Sequence, residues 1–104
     1  MTATMIDQSM AGFEAGAADA AAMLKALANE KRLMILCKLL ERGEMGVMAL
    51  SAAVGLSQSA LSQHLAKMRD EQIVGFRRDG QQIFYHVSNP DVTRILTTLK
   101  SIYC

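Results

Sequence analysis

The chain has 104 residues and a net charge of +1; 51% of its residues are hydrophobic and only 5% aromatic, with eight Met and no Trp. This length suits one domain with a modest core, and a core of Leu, Ile, Ala and Met favours helices over a sandwich or barrel. Charged residues interrupt every apolar stretch before it could span a bilayer, and the N-terminus lacks a secretion signal, so we expect a cytoplasmic protein without membrane attachment.

The N-terminal part of the chain predicts an arm and two helices. Residues 1–13 show no periodicity and are expected to form a flexible arm before one domain over residues 14–104. Ala15–Ala28 is rich in alanine, which is typical of a helix that another helix can approach closely in a dimer. Asn29 is a suitable N-cap for a helix from Glu30 to about Glu41.

The middle of the chain predicts a helix-turn-helix. Met48–Val54 forms a short helix that Gly55 can end by adopting a left-handed conformation. A second helix follows between Leu56 and Asp70, and its apolar residues recur at spacings of four and three. This apolar row consists of Leu61, Leu65 and Met68. Helix, glycine turn and helix in this order are typical of a DNA-binding unit.

The opposite face of the second helix is polar but almost uncharged. Ser59, Gln63 and Ala66 form it, with Ser62 and Lys67 at its edges. Hydroxyl and amide groups both donate and accept hydrogen bonds, which suits reading base edges in a major groove. The candidate DNA contacts of this region are Ser57, Gln58, Ser59, Ser62, Gln63, His64 and Lys67. Two of them have alternatives, because Ser57 could serve only as the N-cap and His64 could pack rather than contact phosphate.

Two β-prone runs and a last helix complete the pattern. Ile73–Phe76 and Ile83–Val87 flank the turn signal Asp79-Gly80, which predicts a hairpin or wing. Arg77 and Arg78 near its tip are candidate phosphate contacts, or else solvated charges. From Asn89 and Pro90 onward, apolar spacings of three and four predict a helix with a seam for a partner helix. The predicted fold is a mainly α winged helix-turn-helix with a small β-hairpin, in the order α-α-α-α-β-β-α.

Two segments resemble the ArsR/SmtB winged-helix repressors. Leu24–Leu36 is similar to the opening of those proteins, and Leu56–Leu65 is similar to their recognition helix. The resemblance implies a homodimer that packs through its first and last helices and binds an imperfect inverted repeat of operator DNA. It also implies an inducer that changes this affinity. The alternatives are an ordinary α+β domain whose polar helix faces solvent, and a protein-interaction module.

The residues at the usual metal-binding positions of this family do not favour a metal as the inducer. Many members of the family bind metals through cysteines near the start of the first helix of the helix-turn-helix, where this chain has Gly46 and Met48. Another type of site uses His, Asp and Glu on the last helix, where only Asp91 is available. Tight zinc or copper sites need several thiolate or imidazole ligands. We therefore expect no metal site and no cofactor, although a site shared between subunits stays open.

The two cysteines, Cys37 and Cys104, are the candidate sensing residues. By themselves, Cys37 could be a small core residue and Cys104 an accidental exposed thiol. Ile35–Cys37 and Ile102–Cys104, however, resemble the paired cysteine positions of the reactive-sulfur sensors within the family. The resemblance implies that a persulfide or polysulfide modifies one thiol and the second thiol then attacks it. The resulting bridge, a disulfide or a longer sulfur chain, would lower operator affinity, and a repressor is expected.

Two other functions compete with this hypothesis. A regulator of the same family could respond to general oxidants or to a metal. A small thiol enzyme or sulfur carrier could use both cysteines, but the chain has no Cys-x-x-Cys motif and the polar helix would have no role. We therefore do not expect an enzyme.

Overall fold

The computed structural model describes the backbone of residues 2–103 and the side chains of residues 12–103. These residues form five helices and a three-stranded antiparallel sheet. In chain order the elements are α1 (Thr2–Leu27), α2 (Glu30–Arg42), β1 (Met45–Gly46), α3 (Val47–Val54), α4 (Gln58–Asp70), β2 (Val74–Asp79), β3 (Gln82–Val87) and α5 (Pro90–Tyr103). The predicted mainly helical fold with a helix-turn-helix and a hairpin is confirmed.

Two elements differ from the prediction. Helix α1 begins at Thr2, so the stretch expected as an arm over residues 1–13 is helical from its second residue onward. No Pro interrupts this stretch, and backbone hydrogen bonds can continue a helix through residues that show no amphipathic pattern. Strand β1 was not predicted, because two residues carry no periodic signal. It is defined by its pairing with Tyr85 and Phe84 of β3.

Short-range hydrogen bonds define the helix ends as predicted. Asn29 caps α2, and its Oδ1 accepts a hydrogen bond from the Arg32 backbone N–H at 3.1 Å. Ser57 caps α4 in the same way, since its Oγ accepts from the Ala60 N–H at 3.1 Å. Between α3 and α4, Gly55 adopts a left-handed conformation with φ of 68°, which an L side chain would strain. These caps fix the start of α4 relative to α3.

The wing, defined as β2, β3 and their turn, is longer than the sequence predicts. Gly80 and Gln81 connect the strands, and Gly80 has φ of 64°. Arg77 and Arg78 were expected near the tip, but they lie inside β2 and pair with Phe84 and Ile83. Because residues alternate along a strand, these two arginines point to opposite faces of the wing.

One buried cluster joins the helices to the wing. Helix α4 contributes Leu61, Leu65 and Met68, the predicted apolar row, each no more than 1% exposed. Burying a side chain of this size stabilises the fold by about 1.5–3 kcal/mol relative to leaving it exposed. The other buried residues of the cluster are Ala26, Leu27, Ile35, Leu36, Leu39, Met45, Leu50, Val54, Ile73, Val74, Val92 and Leu96.

The first and last helices leave large apolar side chains uncovered. Among the described side chains of α1, only Ala26 and Leu27 are buried, while Phe13 and Leu24 are 58% and 60% exposed. On α5, Ile102 and Tyr103 are 64% and 80% exposed. Within the described residues no helix combines the length and the apolar character needed to cross a membrane. The apolar side chains Phe13, Leu24, Ile102 and Tyr103 of α1 and α5 are thus exposed on the surface of the single chain.

Candidate nucleic-acid interface and cysteine site

The structure brings the predicted polar residues of α4 together on its outer surface. Their side chains are exposed because the apolar row of the same helix occupies the core. Ser59 and Gln63 are four residues apart and lie next to each other on the helix surface, with Ser62 beside them. Ser57 is exposed at the start of the helix, but its hydroxyl already caps α4. The exposed set is Ser57, Gln58, Ser59, Ser62, Gln63 and Lys67.

His64 lies at the edge of this surface and is half-buried. Burial lowers the pKa of its imidazole, and the nearby positive charge of Arg32 lowers it further. Both effects disfavour the protonated ring. The His64 ring therefore favours its neutral state, and its exposed edge can still donate or accept a hydrogen bond.

Arg32 of α2 connects α2 to the end of α1 and to Glu71, which directly follows α4. Its Nη1 donates a hydrogen bond to the Ala26 carbonyl at the end of α1, at 2.9 Å, and lies 3.6 Å from Oε1 of Glu71, which follows α4. The Arg32 side chain is only 12% exposed, and its Nε has no hydrogen-bond partner among the described residues. A movement of α2 therefore reaches both α1 and the end of α4 through one guanidinium.

Arg77, a predicted phosphate contact, is engaged elsewhere. Its Nε donates to Glu44 Oε2 at 2.9 Å and its Nη2 to Oε1 at 2.5 Å, while its guanidinium lies 4.7 Å from the centre of the Phe84 ring. The hydrogen bonds from Arg77 lower the pKa of Glu44. The side chains remain partly exposed, so the pair fixes geometry more than it adds stability.

Arg78 lies on the other face of the wing, beside a residue that the sequence analysis missed. The guanidinium carbon of Arg78 is 5.8 Å from the centre of the Phe76 ring, and that of Arg69 is 4.7 Å from it. Arg69 belongs to the last turn of α4, so this ring joins α4 to the wing. The only sign of Arg69 in the sequence is its position directly after the buried Met68, since its contact with Phe76 depends on the fold.

Cys37 is exposed on α2, so the alternative of a buried core residue is wrong. It lines an open cavity of about 520 Å³ between the end of α1 and the outer face of α2. Half of the other lining residues are apolar (Ala28, Leu33 and Met34) and half are polar or charged (Asn29, Glu30 and Lys38). Cys104 lies outside the described residues. Across the part of the chain that the structure describes, no three His, Cys, Asp or Glu side chains are grouped as a metal site would need.

Comparison with known proteins agrees with this arrangement. Residues 29–75 match a protein-family model described as "Bacterial regulatory protein, arsR family". The chain is 48% identical over 97 residues to the HTH-type transcriptional regulator YgaV of Escherichia coli, covering 91% of this chain and 96% of YgaV. The chain belongs to the arsR family of bacterial regulatory proteins.

Two further similar proteins bear on the direction of regulation and on the fold. The transcriptional activator HlyU of Vibrio cholerae is 46% identical over 91 residues, covering 88% of this chain and 83% of HlyU. The crystal structure of the transcriptional repressor BigR from Xylella fastidiosa superposes with a TM-score of 0.85 at 36% identity, covering 91% of this chain and 96% of BigR. These likenesses confirm the winged helix-turn-helix fold for this member of the family.

We expect the neutral state of His64 to make stability depend on pH. Below the ordinary histidine pKa of 6.5 the unfolded chain binds a proton that folded His64 resists, so the free energy of unfolding falls as pH falls through this range. His64→Gln should lose this component, which urea unfolding at constant protein concentration from pH 7.5 downward would measure. His86→Gln is the matched control. Parallel pH curves for wild type and His64→Gln would contradict the assignment.

Proposed function

We propose that this protein is a dimeric transcriptional regulator that binds operator DNA through α4 and the wing and loses affinity when Cys37 and Cys104 are bridged by reactive sulfur. The observation that carries the DNA-binding part is the exposed, uncharged polar face of α4. A helix fits the major groove, and short hydroxyl and amide side chains there can discriminate base edges. Membership of the arsR family supports the same assignment.

Gln63 is the best candidate for base recognition. Its amide can make two hydrogen bonds to adenine, whereas Ser59 and Ser62 can bond to several bases. Lys67 and Gln58 lie nearer the ends of the helix, where the backbone of DNA passes, and suit phosphate contacts. The proposed interface therefore combines base-selective contacts in the middle of α4 with phosphate contacts near its ends that do not distinguish bases.

We expect Gln63→Ala to weaken binding to the operator by about 1–3 kcal/mol while leaving affinity for unrelated duplex unchanged. The operator would first be selected from a random duplex pool with the wild-type protein. Fluorescence anisotropy at one fixed salt concentration then measures both affinities. An equal loss on both duplexes would mean that Gln63 contacts the backbone.

The exposed apolar residues of α1 and α5 support a homodimer. Side chains as large as Leu24 and Ile102 are costly to leave in water, and a twofold dimer would cover the same surface on both chains. Two α4 helices related by such an axis would read two half-sites about 34 Å apart, one turn of DNA. This arrangement explains why an imperfect inverted repeat is the expected operator.

We expect the double substitution Leu24→Glu with Ile102→Glu to dissociate the dimer, because both charges would be buried in the interface. Light scattering after gel filtration should give twice the chain mass of 11.3 kDa for wild type and a single chain mass for the variant. Met48→Glu is the matched control, because Met48 is 74% exposed on α3 and outside both helices. A dimeric double variant would contradict this interface.

Cys37 has the access that a sensing thiol needs. It is exposed beside a cavity large enough for a small sulfur donor. Its thiolate would attack the outer sulfur of a persulfide RSSH, releasing RSH and leaving Cys37 as a persulfide. Attack by the Cys104 thiolate on the Cys37 sulfur then gives a disulfide and releases hydrogen sulfide. If a second RSSH first extends the Cys37 persulfide to a trisulfide Cys37-S-S-SH and releases another RSH, attack of the Cys104 thiolate on its middle sulfur releases hydrogen sulfide and leaves a three-sulfur bridge.

The contacts of α2 supply a route from this bridge to α4. Cys37 and Arg32 lie on the same helix, and Arg32 contacts both the Ala26 carbonyl and Glu71. Tying α2 to the end of α5 would shift Arg32 and with it the C-terminal end of α4. Allosteric coupling is typically about 1–3 kcal/mol, which changes affinity roughly 5- to 150-fold.

We expect Cys37→Ser and Cys104→Ser to bind operator like the reduced wild type but to keep that affinity after treatment with glutathione persulfide. Anisotropy measures the affinity, and intact-mass spectrometry detects the bridge through loss of two hydrogens with or without added sulfur. Met34→Leu, a cavity substitution without a thiol change, should respond normally. Induction retained in both serine variants would refute dithiol sensing, and induction by peroxide or by a metal instead would favour the other inducers.

The sign of regulation follows from where the operator lies. Bound protein that overlaps the promoter blocks polymerase, whereas displacement of a silencer would activate. The relatives include a protein named an activator and one named a repressor. Repression is our proposal, and transcription in vitro from the selected operator tests it.

A further inference from the structure

The two faces of the wing carry arginines in contrasting surroundings. Val74, Phe76 and Arg78 alternate along β2 on the face that turns toward α4, and Arg69 reaches the same face from α4. Arg77 lies on the opposite face. The wing therefore separates one pair of arginines from the third.

We propose that Arg69 and Arg78 contact the DNA phosphate backbone in the recess between α4 and the wing, while Arg77 positions the wing through Glu44 without touching DNA. This assignment rests on the proposed DNA-binding function and gives different roles to the arginines of α4 and the wing. It adds Arg69 to the interface and withdraws Arg77 from it.

The surroundings of Arg69 and Arg78 leave their donors available to phosphate. Neither guanidinium forms an ion pair within residues 12–103, and both side chains are exposed. A guanidinium that lies against an aromatic ring uses its flat face, so its N–H groups still point outward in the plane. The Phe76 ring thus holds two cations at one place without consuming their hydrogen bonds. A phosphate passing between α4 and the wing would meet both.

The surroundings of Arg77 have the opposite effect. Both its Nε and its Nη2 donate to Glu44, and its guanidinium carbon lies 4.7 Å from the centre of the Phe84 ring. Asp79 lies two residues further along the same face of β2 and also favours the charged state of Arg77. A phosphate approaching Arg77 would meet two carboxylates, which repel it. The pair instead joins the wing to the residue that precedes β1.

The dependence of binding on salt separates these roles. Each cation that neutralises a phosphate contributes about 0.9 to the slope of log K against log salt. We expect Arg69→Gln and Arg78→Gln each to reduce this slope by about 0.9 for each protomer bound, equally on operator and unrelated duplex. Arg69→Lys and Arg78→Lys should restore it. Arg77→Gln and Glu44→Gln should lower affinity by similar factors with the slope unchanged.

Arg94→Gln is the matched control for loss of one exposed positive charge, since Arg94 is 84% exposed and belongs to α5, outside both α4 and the wing. Circular dichroism verifies that each variant is folded before its slope is compared. A wild-type slope retained in both Arg69→Gln and Arg78→Gln, or a reduced slope in Arg77→Gln, would overturn this assignment alone. No binding of the wild type to operator or unrelated duplex at low salt would overturn the proposed DNA-binding function itself.

Discussion

The burial of Leu61, Leu65 and Met68 fixes the rotation of α4, and the interface depends on that rotation. These side chains lie along one side of the helix and are no more than 1% exposed. Turning the helix by one residue, about 100°, would expose part of this row and bury polar groups. The same packing therefore stabilises the domain and directs Ser59 and Gln63 outward. The cap by Ser57 fixes where the helix begins, which sets how far the polar face extends.

Local signals allowed much of this fold to be predicted from the sequence. Asn29, Ser57 and Gly55 mark helix ends through contacts within a few residues, and the apolar row of α4 repeats at helical spacing. The sequence could not show what depends on contacts between distant residues. Strand β1 exists because β3 pairs with it, and the ion pair of Arg77 depends on Glu44, 33 residues earlier.

The wing concentrates most of the few aromatic residues of this chain. Phe76, Phe84 and Tyr85 lie on β2 and β3, and each of the two Phe rings carries at least one guanidinium. An aromatic ring orients a cation without neutralising it, whereas a carboxylate does both. Whether the charge of an arginine is available to phosphate therefore depends on whether its neighbour is an aromatic ring or a carboxylate. A chain with a net charge of +1 can in this way present a strongly positive surface at one place.

Helix α2 carries both the proposed sensing residue Cys37 and Arg32, which contacts the end of α4 through Glu71. Cys37 follows Arg32 by five residues, which places the two side chains about 140° apart around the helix. The cysteine can therefore react on the outer face of α2 while Arg32 faces α4. A tenfold change in affinity requires only about 1.4 kcal/mol. One charged hydrogen bond is worth about as much, at about 1.5–3 kcal/mol. Arg32 is largely buried and holds both α1 and Glu71, so in the proposed mechanism a displacement of α2 that weakens one of these contacts would be sufficient to change DNA affinity.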